Sequence, residues 1–218
     1  MAGGFGNDQY MFGAATVGGE LDTIVEATGQ GTDTLDFSSR TVSVTVNIGD
    51  SSSQQPVHID RNLMLWSARA LEIVLGGTGN DKLTGNSKAN VLVGNAGNDT
   101  LVGSSGRDIL IGGPGLDTIL GGDDEDVVIA GRTAHDSSPS SLATLITSWQ
   151  APTSHATRVA ALRAGVGSPK VSLIRKINVL NDSGNDDRLS GGAGTDWFLK
   201  ATDDVISDLF NGELIDLL

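Results

Sequence analysis

The chain has 218 residues, 30 of them glycine and none cysteine, and a formal net charge of −13. Its acids are 22 Asp against 5 Glu, and aromatics make up 4 % of the chain. Because helices favour Glu over Asp, while Asp and Gly favour turns, this balance excludes a helical bundle and a basic nucleic-acid binder. The lack of cysteine excludes a disulfide scaffold and a thiolate metal site. No apolar run is long enough to span a membrane.

The N-terminus, Met1-Ala2-Gly3-Gly4, starts in a Gly-rich turn with no signal-peptide pattern. It is expected to belong to a longer chain, with an N-terminal passenger outside this sequence, or to leave the cell by another route. Three similar nonapeptides follow: GGFGNDQYM at 3–11, VGGELDTIV at 17–25 and TGQGTDTLD at 28–36. Val42, Val44, Val46 and Ile48 alternate with polar residues and predict a strand. The segment then ends in ALEIVLGG at 70–77, which enters a strict repeat.

From Gly76 to Ile129 the sequence reads GGTGNDKLT, GNSKANVLV, GNAGNDTLV, GSSGRDILI, GGPGLDTIL and GGDDEDVVI, nine residues per unit without an insertion. Position six carries Asp81, Asn90, Asp99, Asp108, Asp117 and Asp126, and position eight is always aliphatic. Two further units, DSGNDDRLS and GGAGTDWFL, run from 182 to 199 with Asp187 and Asp196 at position six. Six Gly-rich residues make a turn. The remaining three make a very short strand whose central side chain points inward.

This pattern resembles the RTX family of calcium-binding repeats, G-G-x-G-x-D-x-U-x with U aliphatic. The resemblance implies an all-β parallel β-roll, a two-sheet solenoid with 18 residues per coil. Residues 18 apart then lie above one another, so Asp81, Asp99 and Asp117 form one column, and Asn90, Asp108 and Asp126 the other. Stacked carboxylates repel unless a hard cation sits between them, and calcium accepts such oxygens. The expected sites are Asp81/Asp99, Asp99/Asp117 and Asp108/Asp126, with Asp8, Asp187 and Asp196 at equivalent motif positions. By resemblance, turn carbonyls complete each shell, with Gly77, Gly79, Gly97, Gly106, Gly113 and Gly115 at the motif glycines. Lys88 and Asn90 depart from the motif and argue against a full site between Asn90 and Asp108. Asp123, Asp124 and Glu125 add charge to the last turn, so an ion there is expected to be held differently.

Outward positions seven and nine separate the two sheets. One face carries Lys82, Thr84, Thr100, Val102, Thr118 and Leu120, a mixed surface suited to water. The other carries Val91, Val93, Ile109, Ile111, Val127 and Ile129, and an apolar sheet of this size marks a contact surface. Residues 132–176 hold a net charge of +5 and two helical patterns. The first is capped by Ser140 or Ser141, carries Leu142, Leu145, Ile146 and Trp149, and is broken by Pro152. The second starts at Ser154, carries Val159 and Leu162, and ends near Gly165. This small helical hairpin is expected to cover the apolar sheet, with its positive charge as a solvated surface offsetting the acidic turns. The alternative cover is another protomer.

The chain divides into residues 1–75 (first turns and linking strands), 76–131 (regular roll), 132–176 (basic hairpin) and 177–218 (last repeats and tail). ISDLFNGELIDLL at the C-terminus is expected to plug the open end, and it resembles the uncleaved signal of type I secretion. His58, His135 and His155 sit in polar surroundings without H-E-x-x-H or G-x-S-x-G, and are read as surface or loop residues. The expectation is a non-catalytic, secreted bacterial module binding several Ca2+ ions, with calcium-coupled folding and the type I machinery as a partner. Its alternatives are a polysaccharide-acting β-helix enzyme module and an adhesin segment.

Overall fold

In a computed structural model the description covers residues 1–13, 20–27, 31–58, 61–173, 179–182, 185–210 and 212–218. Strands follow the nonapeptides: Gly-rich turns reverse the chain, and only three to six residues between them are extended. Odd-numbered turns of the regular array feed one parallel sheet and even-numbered turns feed the other. The six-stranded sheet runs Val205–Ile206, Arg188–Ala193, Thr118–Asp123, Thr100–Ser105, Lys82–Thr84, Thr45–Asn47. The eight-stranded sheet runs Gln9–Met11, Thr34–Asp36, Ile73–Leu75, Val91–Val93, Ile109–Ile111, Val127–Ile129, Trp197–Lys200, Leu214–Leu217. Leu101 pairs with Leu83 and Ile119, and Leu110 with Leu92 and Val128, which is the 18-residue coil. The fold is a parallel β-roll.

Position-eight side chains meet between the sheets. Leu83, Leu92, Leu101, Leu110, Ile119, Val128, Leu189 and Phe198 are all at most 1 % exposed and form one continuous core. Stacked Phe12 and Phe37 widen it at the N-terminal end. The alternation Val44, Val46, Ile48 is buried as expected, but the strand is shorter than the pattern suggested. It spans Thr45–Asn47, and Val42 is exposed, because the chain is still turning onto the roll there. Beside the roll, Glu20–Ile24, Arg61–Leu65 and Gln55–His58 make a separate three-stranded sheet. The unit at 17–25 is therefore not a roll turn where it is described. Asp22 lies inside a strand and pairs with Arg61.

After Ile129 the chain leaves the roll through a short antiparallel stem, Arg132–Thr133 with Val179–Leu180. Between them stand helix α1 (Pro139–Trp149) and helix α2 (His155–Ala164). The cap of α1 is Ser138, three residues before Ser141, whose N–H its hydroxyl accepts; Ser140 and Ser141 lie inside the helix. Pro139 accounts for the shift, because proline suits the first helical position, where its missing N–H is not needed. Ser154 caps α2, and Gly165 ends it at φ 90°.

The hairpin lies on the apolar face of the eight-stranded sheet. Leu142, Leu145, Ile146, Trp149, Val159 and Leu162 share a second core with Val91, Val93, Ile109, Ile111, Val127 and Ile129. Trp149 is fully buried, and its Nε1–H donates to the Glu125 carbonyl at 2.9 Å. The positive charge of the insert is more than a solvated surface. Arg158 is 1 % exposed, lies 5.0 Å above the Trp149 ring and pairs with Glu125, while Arg163 pairs with Asp216 at 2.6 Å. Burying a guanidinium requires such partners.

The tail forms the last strands of the roll, with Ile206 packed against the first core and Leu214 and Leu218 against the second. Val205–Ile206 and Leu214–Leu217 add one strand to each sheet, and Leu209 and Phe210 remain exposed between them. His58 ends a strand beside Arg40, His135 contacts the Ser172 carbonyl at 3.0 Å, and His155 packs edge-on against Trp149. Among the described residues no helix is long and apolar enough to cross a membrane. Trp149→Ala is expected to cost about 3–5 kcal/mol, the range for deleting a buried aromatic. Urea unfolding at saturating calcium measures it, and a loss below about 1 kcal/mol contradicts the packing described here.

Candidate metal centre

The turn builds its own acidic column. In each coil the backbone N–H of the position-six residue donates to a carboxylate oxygen one coil further on. Asp81 donates to Asp99, Asp99 to Asp117 and Asp117 to Asp187, at 2.7, 2.7 and 2.6 Å. In the other column Asn90 donates to Asp108, Asp108 to Asp126 and Asp126 to Asp196, at 2.6, 2.8 and 2.7 Å. Within the regular array the partners are 18 residues apart, but Asp117–Asp187 and Asp126–Asp196 are 70 apart. The last two repeats therefore stack directly on the regular array, with the hairpin looped out between them.

That ladder uses one oxygen of each carboxylate. The second oxygen, Oδ2, is buried without a hydrogen-bonding partner in Asp99, Asp108, Asp117, Asp126, Asp187 and Asp196. In every one of these but Asp187, whose unit begins with Asp182, it is tucked against the first glycine of its own turn. A Cβ on Gly94, Gly103, Gly112, Gly121 or Gly191 would overlap the Oδ2 of Asp99, Asp108, Asp117, Asp126 or Asp196. The same Cβ on Gly94 would also lie 2.5 Å from the Gly112 carbonyl oxygen, and that on Gly112 2.5 Å from the Ala130 carbonyl. Unpaired carboxylate oxygens and turn carbonyls from the next coil thus converge in dry pockets. This oxygen-only donor set fits a hard divalent cation.

Asp81 and Asn90 differ. Asp81 accepts Val44 N–H at 2.7 Å and Gly77 N–H at 2.6 Å, so the backbone satisfies both of its oxygens. Asn90 accepts Asn86 N–H at 2.7 Å and donates to the Leu71 carbonyl at 3.3 Å. Its amide closes the turn without help, and exposed Lys88 lies outside it. Asp124 keeps the left-handed backbone of the fourth position, at φ 77°, where Gly97, Gly106 and Gly115 have φ 130°, 105° and 153°. Asp tolerates that region better than most residues. Gly113 is also left-handed, at φ 105°. Gly77 and Gly79 are needed for another reason: a Cβ on either would strike the backbone of Arg40 or of Val42 and Ser43.

Burial sets the electrostatics. It pushes Asp99 up to about 7, Asp117 to about 8 and Asp126 to about 9, each further raised by neighbouring carboxylates. Asp187 and Asp196 rise to about 7, and Asp108 rises well above its ordinary value, for the same reasons.

The chain matches the family model of the RTX calcium-binding nonapeptide repeat in four copies, over residues 75–110, 102–133 and 176–199. These are RTX calcium-binding repeats. The RTX match covers less than half of the chain, and no curated protein matches the sequence. The matched repeats support a calcium-binding β-roll module.

The acidic columns are longer than the strict RTX repeats. Asp8 N–H donates to Asp33 and Asp33 N–H to Glu72, both at 2.9 Å, extending the eight-stranded side. Asp187 N–H reaches Asp204 at 3.2 Å on the other side. Asp33 already occupied position six of the 28–36 unit. Glu72 precedes Asn90 by one coil and could have been found by counting back 18 residues. Asp204 carries no such signal, because its coil is one residue short.

The raised carboxylates fix a pH dependence for the metal-free chain. Their folded pKa values exceed the ordinary 3.8, so the fold is favoured while they are protonated and loses that contribution as pH rises through about 7 to 9. In metal-free buffer, far-UV circular dichroism should show more β structure near pH 4 than at pH 9. Equal structure at both would contradict the buried columns.

Proposed function

We propose that this RTX module is a calcium-gated folding unit that supports the secretion and folding of a longer exported bacterial protein, and is itself non-catalytic. Asp99, Asp108, Asp117, Asp126, Asp187 and Asp196 would hold the ions, with turn carbonyls completing each shell. Bound calcium supplies the positive charge that the stacked carboxylates lack. The observation that carries this reading is the set of buried Oδ2 atoms, one per turn, with no donor to meet them.

The coupling follows from energetics. A buried charge without a partner costs several kcal/mol. With Ca2+ absent, the thin core must offset that cost and chain entropy together. An ion that binds only the folded roll stabilises it by mass action. Extracellular calcium modules bind at about 10⁻⁴–10⁻³ M, so folding would wait until the chain has left a low-calcium cytosol. Asp81 and Asn90, whose oxygens already accept backbone N–H groups, would contribute less than Asp99.

At pH 9 the chain should give a coil-like far-UV spectrum in chelator and β structure in millimolar Ca2+, but not in Mg2+. Full structure in chelator refutes the coupling. Equilibrium dialysis at saturating calcium should show fewer ions on Asp99→Ala and the wild-type number on Asn90→Ala. Equal losses in the two variants would contradict the column assignment.

A further inference from the structure

A second cluster of acids lies at the N-terminal end of the roll. Asp8, Glu26 and Asp33 each place a carboxylate oxygen within 4.8 Å of the others. Asp8 and Asp33 stand before the first two strands of the eight-stranded sheet, but Glu26 does not come from a repeat position. It follows the strand Glu20–Ile24 of the flanking sheet and reaches across to the roll. Glu26 and Asp33 are 4 % and 1 % exposed.

Three observations point to a cation site. Asp33 Oδ1 accepts the Asp8 N–H, but its buried Oδ2 has no partner. No Lys or Arg of the described residues forms an ion pair with any of the three acids. The space they face is a cradle that a single Cβ would fill: one added to Gly3 would overlap Glu26 Oε2 and the Tyr10 hydroxyl, and lie 2.6 Å from Asp8 Oδ2. The Tyr10 hydroxyl donates to Glu26 Oε2, and Gly4 N–H donates to Asp8 Oδ2 at 3.0 Å. Carboxylates this close repel one another when ionised, and among the described residues no Lys or Arg pairs with them.

We propose that Asp8, Glu26 and Asp33 bind a divalent cation, with calcium as the fitting ion, at a site distinct in kind from the turn sites of the ladder. Its ligands are side-chain carboxylates from two different sheets. The ion therefore clamps the flanking three-stranded sheet onto the first two coils. Three formal charges on one ion make it a tighter site than a turn lined mainly by carbonyls. It rests on the reading of the ladder only for calcium as the probe.

The test uses the full chain and calcium alone. At saturating calcium, equilibrium dialysis should find one ion fewer on Glu26→Gln than on wild type, with an unchanged far-UV spectrum. Asp33→Asn, which keeps the acceptor for the Asp8 N–H, should lose the same ion. Tyr10 is the sole tyrosine of the chain, so terbium replacing calcium should emit less under tyrosine excitation in Tyr10→Phe, which keeps the buried ring. An unaltered calcium count in Glu26→Gln, or unaltered terbium emission in Tyr10→Phe, overturns the site and leaves the ladder standing. A wild-type chain that binds no calcium overturns both readings.

Discussion

The structure depends on how a position-six carboxylate is held. Its first oxygen accepts the backbone N–H of the coil before, so the acids cannot move apart without breaking the backbone register. In Asp99, Asp108, Asp117, Asp126 and Asp196 the second oxygen faces a glycine, where no side chain would fit. Hydrogen bonding thus enforces the charge repulsion. Strands of three residues supply few sheet hydrogen bonds each, so the roll relies on its two apolar cores to hold such a stack.

One residue ties the acidic turns to the hairpin. Glu125 belongs to the acidic turn before Asp126, yet its carboxylate pairs with Arg107 of the preceding coil and Arg158 of the hairpin, and its carbonyl accepts the Trp149 indole. A shift in that turn is therefore transmitted to α2 through a buried guanidinium and to α1 through the indole. The apolar sheet face needs the hairpin to keep it from water, and the hairpin needs the turn to pair its buried Arg158.

The regular part of the fold was legible because one period governs both the turns and the core: position eight is inward in every unit from Leu83 to Val128. Stacking of Asp117 on Asp187 was not, since an insertion removes the numerical register while leaving the spatial one intact. The cap of α1 was displaced because a proline outweighs two neighbouring serines as a starting signal. Glu72 follows the period without a glycine to announce it. Glu26 lies 18 residues after Asp8, yet Asp33 takes the next coil position, and Glu26 reaches the pair from the flanking sheet through tertiary packing.

The looped-out hairpin also affects how the roll can assemble. Neighbouring coils within the regular array close over 18 residues, whereas the seam at Asp117 and Asp187 closes over 70. The slow growth of closure entropy with length makes this step dearer by roughly 1 kcal/mol. Coil-by-coil growth from either side therefore meets its largest entropic step at the seam. Docking of Trp149 and Leu145 against the sheet shortens the effective loop, so the hairpin that shields the face also acts as a splint across the junction.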